Sequence, residues 1–324
     1  MQIKKWMFGL AMGLLTVSVL QAKPKKEKPT WEQRKARFKE PSGEAAKKIN
    51  DSLPKELSAK PKQERRVLVF YRCEGFVHSS IPTGNYTLKR MGENTGAFTT
   101  DFTDAYTDLS AENLKQYDLL LFNNTTRLKM PEENRSAILA FIRSGKGIAG
   151  IHAASDNFAD WKEGAELVGG VFNGHPWTSK GEWAFKNDEP KHVLNQGFKG
   201  EGFCCKDEIY CYKKPVDRDA VRVLVSLDMT KQVNLDRVKD VKMVKQKFGV
   251  DDAKLIDNPV SWCRAYGQGR LFYTNFGHNE STFSNAAIMK HLLDGIQYAL
   301  GDLSAPDAAL AKADRSAPVL APVK

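Results

Sequence analysis

Short apolar runs at residues 66–71, 98–102, 118–122 and 147–151 alternate with segments of helical periodicity at 81–91 and 131–143. Runs of this length suit strands buried on both faces, which a parallel sheet provides when helices cover either side. A strand, a crossover helix and a second parallel strand wind right-handedly, so the spacing predicts a doubly wound, mainly parallel α/β sheet. The stretch Gly147-Ile-Ala-Gly-Ile-His-Ala-Ala-Ser-Asp156 is its most demanding part. An apolar run climbs to Ile151 and breaks at His152, with small residues on both sides. That pattern fits a tight strand-to-helix elbow, which lifts one side chain above the sheet edge where open α/β sheets bind ligands. A histidine hydrogen-bonded inside the core is the competing reading.

Past residue 165 the pattern changes. Segments 182–185, 208–212 and 221–227 read as strands separated by loops, more antiparallel than crossover-linked. Residues 260–266 and 270–275 read as a hairpin around Gly267-Gln-Gly269, and 286–300 as a closing amphipathic helix. The expected architecture is therefore α/β over residues 65–303, with an antiparallel or irregular C-terminal half. Residues 238–256 carry five lysines and read as a solvated helical excursion without chemistry. The tail, 304–324, is rich in Ala, Pro and Asp and is expected to be loose.

The N-terminus has the pattern of a secretory signal peptide. Lys4 and Lys5 precede an uncharged run over 6–20, and Leu20-Gln-Ala22 offers a small-residue cleavage site. The run is short for a bilayer span and no later stretch supplies one, so the expected protein is exported, periplasmic or secreted, without stable membrane insertion. Residues 23–64 form a basic arm, with 13 Lys/Arg against 7 Asp/Glu. Most of the net charge of +10 sits there, so the basic balance does not mark a nucleic-acid-binding face on the domain. A short helix is expected over 42–53, capped by Ser42, with Ala46, Ile49 and Leu53 on one face. Residues 23–40 lack apolar periodicity, and their deletion is expected to leave the thermal midpoint nearly unchanged. Five cysteines is an odd number. A bridge from Cys211 to Cys204 or Cys205 is one pairing the spacing permits.

Histidines gather where the sheet is expected to end. His78 follows the first strand, His152 the central one and His278 the last, and a parallel sheet brings such strand ends to one edge. His175 and Glu208 lie in the irregular half, which would cover that edge. His152, His278, Glu208, His78 and His175 are the candidate catalytic residues. Imidazoles that titrate near neutrality can remove and return a proton, and the same donors suit a divalent metal. His192 and His291 lack such a setting, and His291, inside a helix, reads as structural.

Several segments, in order, carry a resemblance. They are Gly75-Phe-Val-His-Ser-Ser-Ile81, Gly150-Ile-His-Ala-Ala-Ser-Asp156, Gly174-His-Pro176, Asp207-Glu-Ile-Tyr210, Pro259-Val-Ser-Trp262 and Gly269-Arg-Leu-Phe-Tyr-Thr-Asn-Phe-Gly-His278. From about residue 66 to 302 the chain resembles the ThuA-like (trehalose utilisation) family. The resemblance implies a flavodoxin-like fold related to class I glutamine amidotransferases. His152 stands where those relatives carry a cysteine nucleophile, so amide hydrolysis through a thioester is not implied. A small-molecule carbohydrate is the implied partner: trehalose, another disaccharide or an oxidised derivative. Tyr210, Trp262 and Trp177 would offer flat faces to a sugar, and Asp156 and Asn275 would bind its hydroxyls. Three functions fit these residues. The first is acid–base chemistry (isomerisation, elimination or hydrolysis) on a disaccharide or ketosugar. The others are metal-dependent hydrolysis and non-catalytic carbohydrate binding by a degenerate amidotransferase fold.

Overall fold

A computed structural model describes residues 29–315 and 317–323; the expected signal peptide and the start of the arm lie outside them. The arm contributes α1 (Trp31–Lys35) and α2 (Gly43–Ser52). Then come β1 (Arg66–Phe70), α3 (Ile81–Thr95), β2 (Thr99–Thr103), α4 (Ala111–Leu114), β3 (Leu119–Asn123), α5 (Glu132–Arg143) and β4 (Gly147–Ile151). The second half adds α6 (Lys162–Val168), β5 (Glu182–Asn187), β6 (Phe203–Lys206), β7 (Arg222–Leu227), α7 (Gln232–Leu235) and α8 (Val241–Phe248). It closes with β8 (Pro259–Tyr266), β9 (Gly269–Thr274) and α9 (Ala286–Ala299).

The described strands form one nine-stranded mixed sheet, ordered β2-β1-β3-β4-β9-β8-β7-β5-β6. Pairing is parallel from β2 to β9 and antiparallel from β9 to β6. The parallel strands bury alternate residues on two faces, as their continuous apolar runs require. On one face Val67, Val69, Leu121 and Ala149 meet Leu88 and Met91 of α3 and Leu292 and Ile296 of α9. On the other, Leu68, Leu120, Phe122 and Ile148 meet Ile138, Phe141 and Ile142 of α5. Gly147 lets α9 approach closely, because a Cβ there would stand 2.3 Å from the carbonyl oxygen of Ala299.

Residues 208–212, expected as a strand, are not one. Ile209 and Tyr212 make single bridges to Trp177 and Phe172, while the strand falls earlier, in β6. Side chains take the backbone groups that a ladder would have used. Glu208 N donates to Asp207, Tyr210 N to the Asn275 side chain, and Tyr210 O accepts from Asn258. The excursion over 238–256 does hold a helix, α8.

The described parts of residues 23–40 and of the tail are docked, contrary to expectation. Val319 and Asn187 exchange two backbone hydrogen bonds of 2.9 Å, and Ala321 N donates to Asp228 at 2.9 Å. The tail is therefore seated on the sheet. In the arm, Trp31 is only 5% exposed, packs with Cys73 and Ile81, and donates its indole N–H to Asp104. Lys35 pairs with the same carboxylate at 2.6 Å. Arg34 donates to Gly75 O at 2.7 Å and Cys73 O at 3.1 Å. One aromatic anchor with polar clamps leaves no periodic trace, which is why residues 23–40 read as detached. Ile49 and Leu53 are buried as expected, but the Ser42 side chain makes no capping bond. The bridge from Cys211 is not formed: its thiol donates to the carbonyl oxygens of Asn173 and Gly174. Among the described residues no helix is long and apolar enough to cross a membrane.

Trp31→Ala removes a buried aromatic together with its hydrogen bond, so it should destabilise the protein by about 3 kcal/mol. Urea unfolding should show a lower midpoint, and deletion of residues 29–40 should lower it further.

Candidate functional site

The elbow forms, and it is strained. His152 has φ +46°, in the left-handed region that a side chain other than glycine enters at a cost of about 1 kcal/mol or more. Two bonds hold it there. Tyr273 Oη donates to His152 O at 2.6 Å, and His152 Nδ1 donates to Asn275 O at 2.8 Å. The second bond fixes the tautomer, leaving the Nε2 lone pair pointing away from β9 into the cluster.

His278 is delivered by the turn after β9. Gly277 has φ +122°, and a Cβ there would stand 2.9 Å from Ile151 Cγ2, so the turn requires glycine. Fully buried Asp207 accepts from Gly277 N at 2.7 Å, Asn279 N at 2.9 Å and Glu208 N at 2.9 Å. One carboxylate thus sets both His278 and Glu208. Burial pushes its carboxyl up to about 6, against the three backbone N–H groups that favour the charged form. Sequence reasoning did not assign Asp207 a role. Its position beside Glu208 was visible, but a long-range backbone contact leaves no local pattern.

The five candidate residues converge. His278 Nδ1 lies 3.2 Å from His152 Nε2 and 3.1 Å from Glu208 Oε1. Glu208 Oε1 is 3.8 Å from His152 Nε2, and Oε2 is 3.3 Å from His175 Nδ1. The His78 ring stands 4.9 Å from that of His152 and 5.0 Å from that of His278, centre to centre. One donor atom from each of His78, His152, Glu208 and His278 lies within 4.8 Å of all the others. Two atoms bound to one tetrahedral cation at about 2.1 Å stand about 3.4 Å apart, so the spacings at His278, His152 and Glu208 bracket a shared ion. His78 is 2% exposed, and its Nδ1 is buried without a hydrogen-bond partner among the described residues. Burial, reinforced by His278 and His175, pulls the His78 imidazole down to about 3. Burial and the same crowding hold His152 well below its ordinary value. Both are therefore neutral at pH 7, the state a metal ligand requires.

Of the expected sugar-binding residues, Tyr210 reaches the cluster. Its hydroxyl is 3.5 Å from His78 Nε2 and its ring 4.4 Å from that of His152. Trp177 and Trp262 do not. Both are fully buried, donating their indole N–H groups to Asn234 O and Val168 O, so they belong to the core. Asn275 is also fully buried, donating to Tyr273 Oη and accepting from Tyr210 N, so it positions the site from within the core. Asp156 pairs with Arg127 at 3.5 Å beside a neighbouring recess lined by Phe172 and Lys213. His291 is structural, held between Ser261 and Leu194 O.

Two phenylalanines also flank the cluster. Phe76 is 66% exposed with its ring 4.9 Å from that of His78, and Phe172 lies 4.3 Å from the Tyr210 ring. An exposed phenylalanine two residues before His78 was the available signal. A cavity of about 850 Å3 opens beside His78 and Ser79.

Residues 66–299 match the family described as ThuA, trehalose utilisation. The chain belongs to that family. A putative ThuA-like protein from Bacteroides uniformis ATCC 8492 is 20% identical, with a TM-score of 0.56 over 75% of this chain and 95% of its own. A second, from Parabacteroides merdae ATCC 43184, is 18% identical, with a TM-score of 0.52 over 75% and 92%. These two show a shared fold. No curated protein matches the chain. The arm and the tail lie outside the matched residues, whereas the whole histidine cluster lies within them.

Folded His78 and His152 refuse protons that an unfolded imidazole takes up near its ordinary value of 6.5. Their depressed values add stability above that pH, which is lost as pH falls from 6.5 towards the His78 value of about 3. Thermal midpoints of metal-free protein should drop through this window, and His78→Gln should flatten the dependence.

Proposed function

We propose that the cluster is a divalent transition-metal site that supports acid–base chemistry on a carbohydrate, a disaccharide or ketosugar. The observation that carries this reading is the set of donor atoms from His78, His152, Glu208 and His278 within 4.8 Å of one another. Imidazole nitrogens with one carboxylate oxygen suit zinc, iron or nickel better than calcium or magnesium. A cation bound there would supply Lewis-acid polarisation of a substrate oxygen.

The chain's own residues divide the remaining work. Asn275 O and Asp207 fix the orientation of His152 and of the turn bearing His278, as the outer shell of a metal site does. His175, with its side chain half exposed, donates from Nδ1 to Glu208 at 3.3 Å, which leaves Nε2 free to take a proton from substrate. Tyr210 presents its hydroxyl beside His78. Phe76 and Phe172 offer apolar faces for the C–H side of a sugar. Isomerisation, elimination and hydrolysis all use this arrangement: one polarised oxygen and one mobile proton. The strand order β2-β1-β3-β4-β9 supports the flavodoxin-like reading of the parallel half.

The deciding measurement is elemental analysis of protein purified without a chelating tag. About one equivalent of a transition metal per chain is expected for a single four-donor site. His152→Ala and His278→Ala should each lose it while remaining folded. Turnover of a disaccharide and ketosugar panel should stop on chelation and return on metal addition. Turnover that persists in the metal-free protein would favour proton transfer by the histidines alone, through the 3.2 Å contact of His278 with His152. Ligand binding without turnover would favour a carbohydrate-binding role.

We further propose that the protein acts outside the cytoplasm. The support is the charged start, the uncharged run over 6–20 and Ala22. N-terminal sequencing of mature protein should begin at Lys23, and an intact Met1 on a cytoplasmic product would overturn the assignment.

A further inference from the structure

The cavity beside His78 is built from two sources. The domain supplies His78, Ser79 and Glu280, while the other wall belongs to residues 29–49 of the arm, outside the family match. That wall is basic: Arg34, Arg37, Lys39 and Lys48 face the cavity, against the carboxylates Glu40 and Glu280. Arg37 and Lys39 are exposed, and among the described residues neither has an ion-pair partner. Lys48 has only a 3.8 Å contact with Glu44, both side chains being largely exposed. Arg34 is the informative member. Its Nη atoms donate to the neutral carbonyls of Gly75 and Cys73, and its Nε is buried without a partner. A half-buried guanidinium without a counter-charge, beside two unpaired cations, favours an anion in the space they enclose.

We propose that the arm is the specificity element of the site, selecting a saccharide that carries an anionic group, a carboxylate or a sulfate ester. This rests on the reading of the histidine cluster as a carbohydrate site. The reacting unit lies at His78 and the cluster, and the charged unit extends along the cavity to Arg37 and Lys39. A cavity of about 850 Å3 has room for more than one sugar ring, so a disaccharide fits it. Phe76 stands on the loop that Arg34 clamps, so the arm also sets an aromatic ring beside His78. The family domain thus carries the chemistry, and this chain's own N-terminal segment chooses the substrate.

Titration calorimetry of the full mature protein tests this, using disaccharides of equal size that are neutral, uronate-bearing or sulfated. The wild type should bind at least one anionic member tenfold or more tightly than the neutral one, and the tighter of the two identifies the anionic group. The gap should shrink with added salt. In the Arg37→Gln/Lys39→Gln protein it should close at least threefold, with bound metal retained. Equal affinity for neutral and anionic members would overturn the proposal. So would a preference that survives the double substitution, or no binding of any member. Metal content is measured separately, so a metal-free protein whose anion preference still follows the arm would refute the metal reading and leave this one standing.

Discussion

The geometry of the site depends on one buried carboxylate. Asp207 accepts three backbone N–H groups from two segments nearly seventy residues apart, and those segments carry Glu208 and His278. A carboxylate with no solvent contact is costly unless such donors surround it. The same donors would be left unsatisfied without it, at about 1–3 kcal/mol for each buried group. The mutual dependence makes the arrangement rigid. Glu208 therefore meets the histidines from a loop with almost no ladder support of its own.

The other half of the cluster is held by the sheet. β4 and β9 are parallel neighbours, with Ile151 opposite Thr274, so His152 and the turn after β9 leave the same edge. The left-handed conformation at His152 persists because Tyr273 and Asn275 fix the backbone and the ring from below. Crowding imidazoles edge to face in a buried pocket disfavours their protonated forms, and it leaves several lone pairs converging on one small volume. Such a volume is electrostatically prepared for a cation before any arrives.

The parallel half and the centre of the site were legible because their determinants are local. Apolar runs of strand length, a helical period and a small-residue break at His152 all sit within a few residues of what they specify. The gathering of His78, His152 and His278 followed from topology alone. The antiparallel half was less readable, because Asn258 and Asn275 divert the backbone of 208–212 from the sheet by contacts made far along the chain. Trp177 and Trp262 were assigned to substrate by residue type, whereas their indole N–H groups find carbonyl partners inside the core. Phe76 and Trp31 show the converse. One is an exposed aromatic at the site and the other a buried anchor in a charged arm, and neither belongs to a repeating pattern.

Strand β9 is where the two pairing modes of the sheet meet, parallel to β4 on one side and antiparallel to β8 on the other. His152 and its carbonyl partner Asn275 are 123 residues apart in the chain, with the whole antiparallel half between them. Closing so long a loop carries a high entropic cost, and contacts of that separation form late. During synthesis, residues 66–152 can pair their four strands before β9 has left the ribosome, yet that partial sheet holds only His78 and His152. The cluster is thus complete only once β9 has joined the sheet, and a chain that stalls before that point has not yet brought His278 and Glu208 to the two imidazoles.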